Sequence, residues 1–453
     1  MRFLLLTMLL AGASLISAQD VEKNTIESIY KNALTSTEAY NNMQELCTKA
    51  PGRLLGSKAS EKAIALLRHQ MGKLHPDTCY LQKYRTNSWQ CKSPAQAVVS
   101  YADKKESLRV VDLGLSASTP VAGLKAGIVE VHSLKELDSL GTKGVKGKIV
   151  FFNRPMKNSH LNTFHAYGEA VDQRSGAGRA AQYGAVGAIV RSVATEQDDF
   201  PHTGVGHYKA DSQQIVNVAV STNDAEKLSR LNKQFPDLKL WIKSTTEMMD
   251  TLESANLIAE MKGSVHPEKI ILIGAHMDSW FNTPGAHDDG AGCAQVVDVL
   301  RIIRESGIRP QNTIRFVLYM DEEMLQSGAR AYAGFVGKEK KEHIACIETD
   351  AGGALPLGFE AEATETVIGS LRKLTDKLAG FGIYCMEKGY GGEDIGFLKP
   401  YGFPLIGLET NSQRYFEYHH SANDTVDKVS RREMQLGTAA IASLVYLIDR
   451  HGF

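Results

Sequence analysis

The sequence predicts an α/β fold: a doubly wound, mostly parallel sheet with a second, β-rich domain inserted into it. The first observation behind this prediction is that, from about residue 250 onward, apolar runs of strand length alternate with helical patterns, as in parallel sheets covered on both faces. The second is a change of texture between residues 96 and 248, where short β-like runs are separated by turns rich in Gly, Ser and Lys.

The composition is that of an ordinary globular protein. The chain has 453 residues, 43% of them hydrophobic and 23% charged, which excludes a disordered or fibrous protein. Its 51 Lys and Arg residues balance 52 Asp and Glu residues, so we expect no basic surface and no nucleic-acid partner. Six Cys residues are too few for a fold held together by disulfides, so the stability must come from a large core.

The N-terminus has the pattern of a secretory signal peptide, which we place at residues 1–18. Arg2 supplies the positive start, the apolar run from Phe3 to Leu10 is too short to cross a bilayer, and small residues lead to a cleavage site near Ala18. An uncleaved anchor helix is the alternative. No later run has about 20 consecutive apolar residues, so we expect a mature protein that makes no membrane contact and is secreted or delivered to the lysosome.

The secreted route permits disulfides and glycosylation. Cys79 and Cys91 lie in a polar region, where they are predicted to pair with each other or with Cys47. The remaining cysteines lie in apolar segments and are predicted to be buried free thiols: Cys293, Cys346 and Cys385. One N-glycosylation sequon, Asn423-Asp424-Thr425, marks a surface position in secreted chains.

The elements follow in chain order. Residues 19–95 are predicted to form the N-terminal part of the catalytic domain, largely helical from 23 to 75, where Ile64, Leu67 and Met71 form one apolar stripe. In the inserted domain, residues 96–248, the predicted strands are 97–99, 127–131, 148–152, 188–190 and 216–220, and one helix covers 178–183. In the main part of the catalytic domain, residues 249–453, the predicted strands are 269–275, 313–319, 344–347 and 404–408, and the predicted helices are 291–305, 327–336, 365–378 and 431–447.

Acidic residues or histidines follow one predicted strand after another in the main part. They are His276 and Asp278 after the first strand, Asp288 before the next helix, Glu322 and Glu323 after the second strand, Glu348 and Asp350 after the third, and His419 and His420 after the fourth. Each alone is more typical of a turn, a helix cap or a solvated surface. Because ligands bind beyond the carboxyl ends of parallel strands, their joint placement favours a single site.

That site has the donors of a metal centre. Several carboxylates buried together repel one another and lose their water, so a cation must compensate them. Two His and three carboxylates suit zinc or a similar divalent metal, and they exceed what one tetrahedral zinc with an open position needs. The set fits two metals that share one carboxylate. Of the adjacent Glu322 and Glu323, one is then free to bind metal while the other acts as general base.

These motifs resemble those of the co-catalytic zinc exopeptidase family, in its plasma glutamate carboxypeptidase (carboxypeptidase Q) branch. The matching stretches are APGRLLGS from Ala50, RSVAT from Arg191, PHTG from Pro201, GAHMDSW from Gly274, DDGAG from Asp288, the Glu322-Glu323 pair, ETDAGG from Glu348 and YFEYHHS from Tyr415. They are spread over nearly all of the chain after the signal peptide. The resemblance implies the zinc exopeptidase fold with an inserted protease-associated-like domain, a homodimer, and hydrolysis of dipeptides or of the terminal residues of short peptides.

The resemblance also implies residue roles. The ligands of two Zn²⁺ ions per chain are the bridging Asp288, Glu323 with His420 at one ion, and His276 with Asp350 at the other. Glu322 is the general base that activates a metal-bridging water. Asp278 would hydrogen-bond the far nitrogen of His276 and fix its tautomer. His419, as a supporting residue or oxyanion donor, and Asp394, in the 391–395 loop, are assigned to the pocket around the metals.

The chain departs from the family pattern at several positions. Asp321 stands where the family has Ala and is expected to raise the pKa of the base. Leu325 replaces a usual Gly, and Glu393 replaces an expected Thr, which leaves the substrate preference open. His287 is an extra imidazole that we interpret as pocket wall. Two other functions remain open: an inactive binding or receptor ectodomain of the same fold, and a single-zinc acyltransferase related to glutaminyl cyclase.

Overall fold

The computed structural model describes residues 20–208, 213–339 and 341–453, so the predicted signal peptide lies outside the described residues. The strands are β1 Thr78–Tyr101, β2 Lys104–Leu108, β3 Val110–Asp112, β4 Leu124–Ala126, β5 Ile128–Val131, β6 Ile149–Phe152, β7 Gly187–Arg191, β8 Val216–Val220, β9 Lys239–Met261, β10 His266–His276, β11 Asn312–Tyr319, β12 Glu342–Glu348, β13 Pro356–Glu362, β14 Cys385–Lys388 and β15 Leu405–Thr410. The helices are α1 at residues 20–35, α2 Glu38–Lys49, α3 Lys58–Gly72, α4 Leu134–Val145, α5 Thr163–Ala170, α6 Gly176–Gln182, α7 Thr222–Gln234, α8 Ala291–Glu305, α9 Ser327–Val336, α10 Glu365–Thr375, α11 Tyr415–Tyr418 and α12 Arg431–His451.

The larger sheet confirms the predicted α/β class. Among the described residues it has 10 strands, in the order β14-β13-β15-β12-β10-β11-β9-β1-β2, with β4 also paired to β9. Its centre is parallel: β10 pairs with β11 and with β12, and β12 pairs with β15. Antiparallel pairs flank this centre, between β11 and β9 on one side and between β15 and β13 on the other. The central strands are almost continuously apolar because both of their faces are buried.

Helices cover both faces of this sheet, as predicted. One face packs against α1, α2, α3, α8, α10 and α12 in a large core that contains Ile273 and Phe316. The other face packs against α9 and the 3-10 turn Ile395–Tyr401 in a smaller core that contains Leu272 and Val317. Among the described residues, no helix combines the length and the apolar character that crossing a bilayer requires.

The antiparallel ribbon of β1 and β9 is much longer than the sequence indicated. Residues 97–99 form only the last part of β1, which pairs with β9 from Thr78–Glu260 to Ser100–Lys239. Most β1 side chains are half-buried or exposed, so the strand lacks the apolar run that a search for buried strands detects. The ribbon joins the large sheet at one end and packs against the second sheet at the other.

The second sheet has five strands among the described residues, in the order β3-β8-β7-β6-β5. The strands β5 to β8 are parallel, and β3 is antiparallel to β8. One face packs against α4 and α6, and the other against α7 and the β1–β9 ribbon. The region is therefore mixed α/β rather than purely β-rich, because parallel strands need covering connections. Its boundaries at residues 96 and 248, and its likeness to a protease-associated domain, stay predictions.

The disulfide prediction is not supported by the structure. All six cysteines, which lie within the described ranges, have free thiols. Cys79 and Cys91 lie on the same strand, twelve positions apart, and a strand rises about 3.3 Å per residue, so they are roughly 40 Å apart and cannot pair. Cys47 is buried and its Sγ contacts the carbonyl oxygen of Gly285 at 3.5 Å. Cys293 and Cys346 are buried as predicted, but Cys385 is exposed because β14 is the edge strand of the large sheet.

Candidate metal centre

The predicted ligands meet at one edge of the large sheet. His276 is the last residue of β10, Glu323 follows β11, Asp350 follows β12, and His420 follows β15 through α11. Since these four strands are parallel neighbours, their carboxyl ends share an edge, and the polar residues after them converge there. Asp288 reaches the same point from the loop between β10 and α8.

Asp288 stands between the other four residues and faces them with both oxygens. Its Oδ1 lies 3.1 Å from Nε2 of His276, and its Oδ2 lies 3.1 Å from Nε2 of His420. Nε2 of His276 is also 3.4 Å from Oδ1 of Asp350, and Nε2 of His420 is 3.0 Å from Oε2 of Glu323. The five side chains thus form two groups that share one carboxylate, as the predicted pair of metals would require.

His419 is an alternative to Glu323 as the third candidate ligand in the group that contains Asp288 and His420. The donor atoms of Asp288, His419 and His420 lie within 4.8 Å of one another, as do those of His276, Asp288 and Asp350. However, Nε2 of His419 is 3.7 Å from the bridging carboxylate, whereas Glu323 is in direct contact with His420. We therefore favour Glu323 as the ligand, because a buried carboxylate needs a cation more than a neutral imidazole does.

The donor set fits divalent metal ions. Oε1 of Glu323 and Oδ1 of Asp350 are buried and accept no hydrogen bond from any described residue. Burial, followed by the charge of Asp288, raises the pKa of Glu323 to about 7, and burial likewise raises the pKa of Asp350. No Lys or Arg of the described ranges pairs with these three carboxylates. A pair of borderline metals such as zinc would bind the two imidazoles and compensate the carboxylates.

In the metal-free chain the two histidines supply the positive charge instead. Burial lowers the pKa of His420, but the nearby Glu323 and Asp288 outweigh it and raise the pKa to about 9. Burial also opposes protonation of His276, and Asp350, Asp278 and Asp288 raise its pKa well above the usual value. A metal would displace both protons, because only a neutral imidazole can coordinate it.

Asp278 orders the turn that carries the two glutamates. Its Oδ1 accepts hydrogen bonds from the backbone N–H of Asp321 at 2.9 Å and of Glu322 at 3.2 Å, and its Oδ2 accepts one from Glu323 at 3.3 Å. Oδ1 also lies 3.6 Å from Nδ1 of His276, which is longer than a hydrogen bond. The predicted role in fixing the His276 tautomer therefore stays a prediction.

Glu322 has the surroundings of a general base. It is half-buried, and its carboxylate accepts no hydrogen bond from the described residues. Desolvation raises its pKa well above the usual value; Asp350 and Glu323 add to the rise and His276 opposes it. The neighbouring Asp321 points elsewhere: its carboxylate accepts from the backbone N–H of Leu325 at 3.4 Å and of Ser327 at 3.2 Å, where α9 begins.

The buried carboxylate of Glu348 holds the 391–395 loop against the site. Its oxygens accept hydrogen bonds from the backbone N–H of Glu393 and of Ile395, both at 2.8 Å, and burial raises its pKa to about 8. Asp394 in this loop is buried, its Oδ1 has no partner among the described residues, and its charge adds to the raised pKa of Glu322. Its assignment to the pocket around the metals stays a prediction.

The two additional histidines differ in their contacts. The ring of His419 stacks on that of His420 with centroids 3.5 Å apart, and burial together with His420 lowers its pKa well below the usual value. Nδ1 of His287 accepts from the backbone N–H of Gly353 at 3.2 Å, and Nε2 donates to the carbonyl oxygen of Lys428 at 3.3 Å. With both nitrogens bound to backbone, His287 forms the wall of the site and offers no ligand atom.

Two residues that position the backbone around Asp288 had no predicted role. Arg53 is fully buried and donates to the carbonyl oxygens of Met277 at 2.6 Å and of Gly285 at 2.9 Å, which braces the loop between β10 and α8. Asp424 accepts from the backbone N–H of His287 at 2.7 Å and of Asp288 at 3.1 Å. In the sequence, Arg53 stood out only as part of the APGRLLGS motif. Asp424 was noted only as the middle residue of the N-glycosylation sequon.

Comparisons with known proteins give the family and the solved structures to which the chain is similar. Residues 256–445 match the model of "Peptidase family M28". The chain is 30% identical to carboxypeptidase Q of Xenopus laevis over 433 residues, which cover 95% of this chain and 90% of the relative, and 29% identical to the human protein over 434 residues, which cover 95% and 89%. The crystal structure of a peptidase M28 precursor from Shewanella amazonensis superposes with a TM-score of 0.91 at 29% identity, over 96% of this chain and 98% of that chain. A zinc aminopeptidase from Bacillus subtilis, 18% identical, shares the fold with a TM-score of 0.66 over 91% of this chain and 95% of that chain.

Proposed function

The chain belongs to peptidase family M28, in its carboxypeptidase Q branch, and from this premise of a metallo-exopeptidase we propose that it hydrolyses dipeptides, or the terminal residues of short peptides, with two zinc ions. The observation that carries the proposal is the position of Asp288, whose two oxygens face two separate groups of ligand atoms. Zinc is proposed because the donors are imidazole and carboxylate and because a structural neighbour is described as a zinc aminopeptidase.

The residues of the chain would divide the work as follows. His276 with Asp350 would hold one ion, His420 with Glu323 the other, and Asp288 both. When bound, such a pair of ions supplies a water of lowered pKa and polarises the scissile carbonyl. Glu322 takes a proton from the attacking water and later delivers it to the leaving amine, which its raised pKa favours.

The test of this proposal is the substitution Glu322→Gln, which removes the base and leaves all five ligands. We expect two zinc ions per chain by elemental analysis, and a fall in the release of amino acids from a dipeptide panel of about 100- to 10,000-fold. Glu342→Gln, the same chemical change at an exposed position at the start of β12, is the matched control and should leave turnover unchanged. Normal dipeptide hydrolysis by Glu322→Gln would show that Glu322 is not the base.

The same measurements separate the two other functions. An inactive binding ectodomain would contain no zinc and would cleave none of the dipeptides. An acyltransferase related to glutaminyl cyclase would contain one zinc per chain and would cyclise an N-terminal glutamine instead. Two zinc ions together with dipeptide hydrolysis exclude both.

We also propose that the protein is secreted, reaching the outside of the cell or the lysosome, and that it forms a homodimer. The apolar run at the N-terminus supports secretion, and the family resemblance supports the dimer. N-terminal sequencing of protein from a secreting host tests the cleavage after residue 18, and light scattering of the purified protein tests the dimer.

A further inference from the structure

The candidate ligand His420 is held by a loop of the second region, the part of the chain that contains the five-stranded sheet. His202 and Thr203 lie in the loop between β7 and β8, and both are fully buried. Nδ1 of His202 lies 2.6 Å from the carbonyl oxygen of His419. The backbone N–H of Thr203 donates to the carbonyl oxygen of His420 at 2.9 Å. Two consecutive residues of the loop thus contact two consecutive carbonyl groups of the segment that carries the ligand.

The ring of His202 is the donor in its contact. A carbonyl oxygen can only accept, so Nδ1 carries the hydrogen. Burial lowers the pKa of His202 to about 3, so the ring is neutral and this is its single N–H group. The contact is therefore a hydrogen bond that the second region donates to the peptide group just before His420.

The same loop orients the imidazole of His420. Nδ1 of this ring lies 3.3 Å from the carbonyl oxygen of Thr203, while Nε2 faces the carboxylates of Asp288 and Glu323. A hydrogen on Nδ1 that is donated to Thr203 leaves the lone pair of Nε2 for a metal, and a contact of this kind fixes the tautomer of a ligating histidine. Among the described residues, the hydrogen bonds and ion pairs of His276 all come from the large sheet and its loops. The two histidines therefore differ in what holds them.

The backbone of His420 needs support from its surroundings. Its φ is +61°, in the left-handed region that is uncommon for a residue other than glycine. Such a conformation is unfavourable and persists where surrounding contacts over-determine it. Here the carbonyl oxygen of His420 accepts from Thr203 and, at 3.4 Å, from the side chain of Asn282. We expect this backbone to relax when the contacts of the loop are lost.

The loop itself is anchored in the second sheet. The backbone N–H of His202 donates to the hydroxyl of Ser192 at 2.8 Å, and this hydroxyl donates to the carbonyl oxygen of Val220, the last residue of β8, at 2.7 Å. The hydroxyl of Thr203 donates to the carbonyl oxygen of Asp112, the last residue of β3, at 2.6 Å. The position of the loop is therefore set by the second sheet rather than by the large one.

We propose that His202 and Thr203 are positioning residues of the metal centre, which hold His420 in place so that its zinc ion binds only while the second region is docked against the large sheet. This inference rests on the proposed two-zinc peptidase function and gives the second region a part in it. The ion at His276 does not depend on this loop. Because coupling between two sites is reciprocal, zinc in turn stabilises the docking of the second region.

The first experiment removes the donor of His202. We expect His202→Ala to weaken zinc binding at one of the two sites by about 10- to 100-fold, so that dialysis against a zinc buffer leaves about one ion per chain. His202→Asn, whose amide N–H can replace that of Nδ1, should retain both ions. His343→Ala is the matched control, since this histidine is comparably buried, burial also lowers its pKa to about 3, and it lies at the start of β12, away from the site. It should lower the thermal stability and leave both zinc affinities unchanged.

A double variant shows which ion is affected. In the His420→Ala background, which lacks a ligand of that ion, His202→Ala should remove no further zinc. A further loss would place the effect at the ion of His276 and would overturn the inference. His202→Ala protein that binds two zinc ions with wild-type affinity would overturn it as well.

Hydrogen exchange of the wild-type protein tests the reciprocal effect without a substitution. We expect zinc to slow the exchange of the backbone N–H of Thr203 by about 10- to 100-fold relative to the chelated protein, and to leave the N–H of Lys146, which bonds within α4, unchanged. Unchanged exchange at Thr203 would contradict the inference even if His202→Ala does not fold. Wild-type protein that binds two zinc ions but cleaves no dipeptide would contradict the proposed hydrolysis alone, because the role of His202 is measured by zinc content.

Discussion

At the scale of single residues, the main feature of the candidate site is its buried negative charge. Eight carboxylates that lie at or beside it are shielded from solvent: Asp278, Asp288, Asp289, Asp321, Glu323, Glu348, Asp394 and Asp424. Backbone N–H groups satisfy part of this charge, as they do at Asp278 and Glu348. The remainder falls on the two histidines or on metal ions, so the identity of the ligands can be tested by removing imidazoles one at a time.

We expect His420→Ala and His287→Ala to differ in metal content although both remove a buried imidazole. His420 contacts Asp288 and Glu323, so its loss should lower the zinc content from two ions to about one per chain and abolish turnover. His287 binds only backbone groups, so its loss should lower the thermal stability and leave two zinc ions. Elemental analysis after dialysis decides between them. If His287→Ala lost zinc and His420→Ala did not, His287 rather than His420 would be the metal ligand.

The convergence of the candidate ligands was predictable because they follow apolar strands one after another, a pattern that one sequence displays. The residues that hold the ligands were not predictable in the same way. Arg53 and Asp424 act through backbone atoms of distant loops, and backbone hydrogen bonds leave no periodic signal in the sequence.

At the scale of elements, apolar runs predicted the strands and helices that are buried on a regular face, and their bounds agree closely, as in α8 and α9. The long ribbon was predicted only in part, since β1 and β9 alternate between exposed and half-buried positions over most of their length. Its polar residues are held by cross-strand pairing, which depends on a partner about 140 to 180 positions away in the chain. Of the helices of the second region, α6 was predicted, at residues 178–183, while α4, α5 and α7 were missed. The helix α5 has only 8 residues, too few to show a clear apolar stripe.

Two glycines in helices, one in α8 and one in α10, test how closely α8 packs against the candidate metal site. Gly292 lies in the first turn of α8, where a Cβ would overlap the carbonyl oxygen of Thr349 and the carboxylate of Asp289. We expect Gly292→Ala to destabilise the protein by about 1–3 kcal/mol and to weaken zinc binding, because Asp289 and Asp350 must shift. Gly369→Ala in α10, where no atom lies within 4 Å of the new methyl group, should stabilise the protein by about 0.5–1 kcal/mol. Urea unfolding compares the two, and an equal effect would show that α8 is not packed as described.

At the scale of the whole molecule, the metal centre links two sheets and many loops, so its charge state should govern the stability of the fold. The large sheet supplies the ligands through β10, β11, β12 and β15, and Thr203, from the loop between β7 and β8, binds the backbone of His420. A metal that binds only the folded state stabilises it by about 2.7 kcal/mol at a free concentration of 100 times its Kd. Removal of the metals leaves the buried carboxylates to be neutralised by protons alone.

The pH dependence of the metal-free protein follows from this. Burial raises the pKa of Glu348 to about 8, and burial with Asp288 raises that of Glu323 to about 7, from ordinary values of 4.5. At a pH between the ordinary pKa and the raised pKa of each glutamate, the folded chain holds a proton that the unfolded chain has released. The free energy of unfolding therefore falls as the pH rises through this range. His420 acts in the same direction: its pKa is raised from 6.5 to about 9, so the stability that it contributes is present below pH 6.5 and is lost as the pH rises through 9.

We therefore expect opposite trends with and without metal. The metal-free protein should lose at least about 2 kcal/mol of unfolding free energy between pH 5 and pH 8, whereas the zinc-loaded protein should become more stable over this range, because zinc binds the deprotonated ligands. Urea unfolding at both pH values, before and after chelation, measures the two trends. Glu348→Gln should flatten the metal-free trend, because a buried carboxylate that takes up protons in that range is gone. A metal-free protein that becomes more stable toward pH 8 would mean that its buried carboxylates are compensated by groups other than protons and metal.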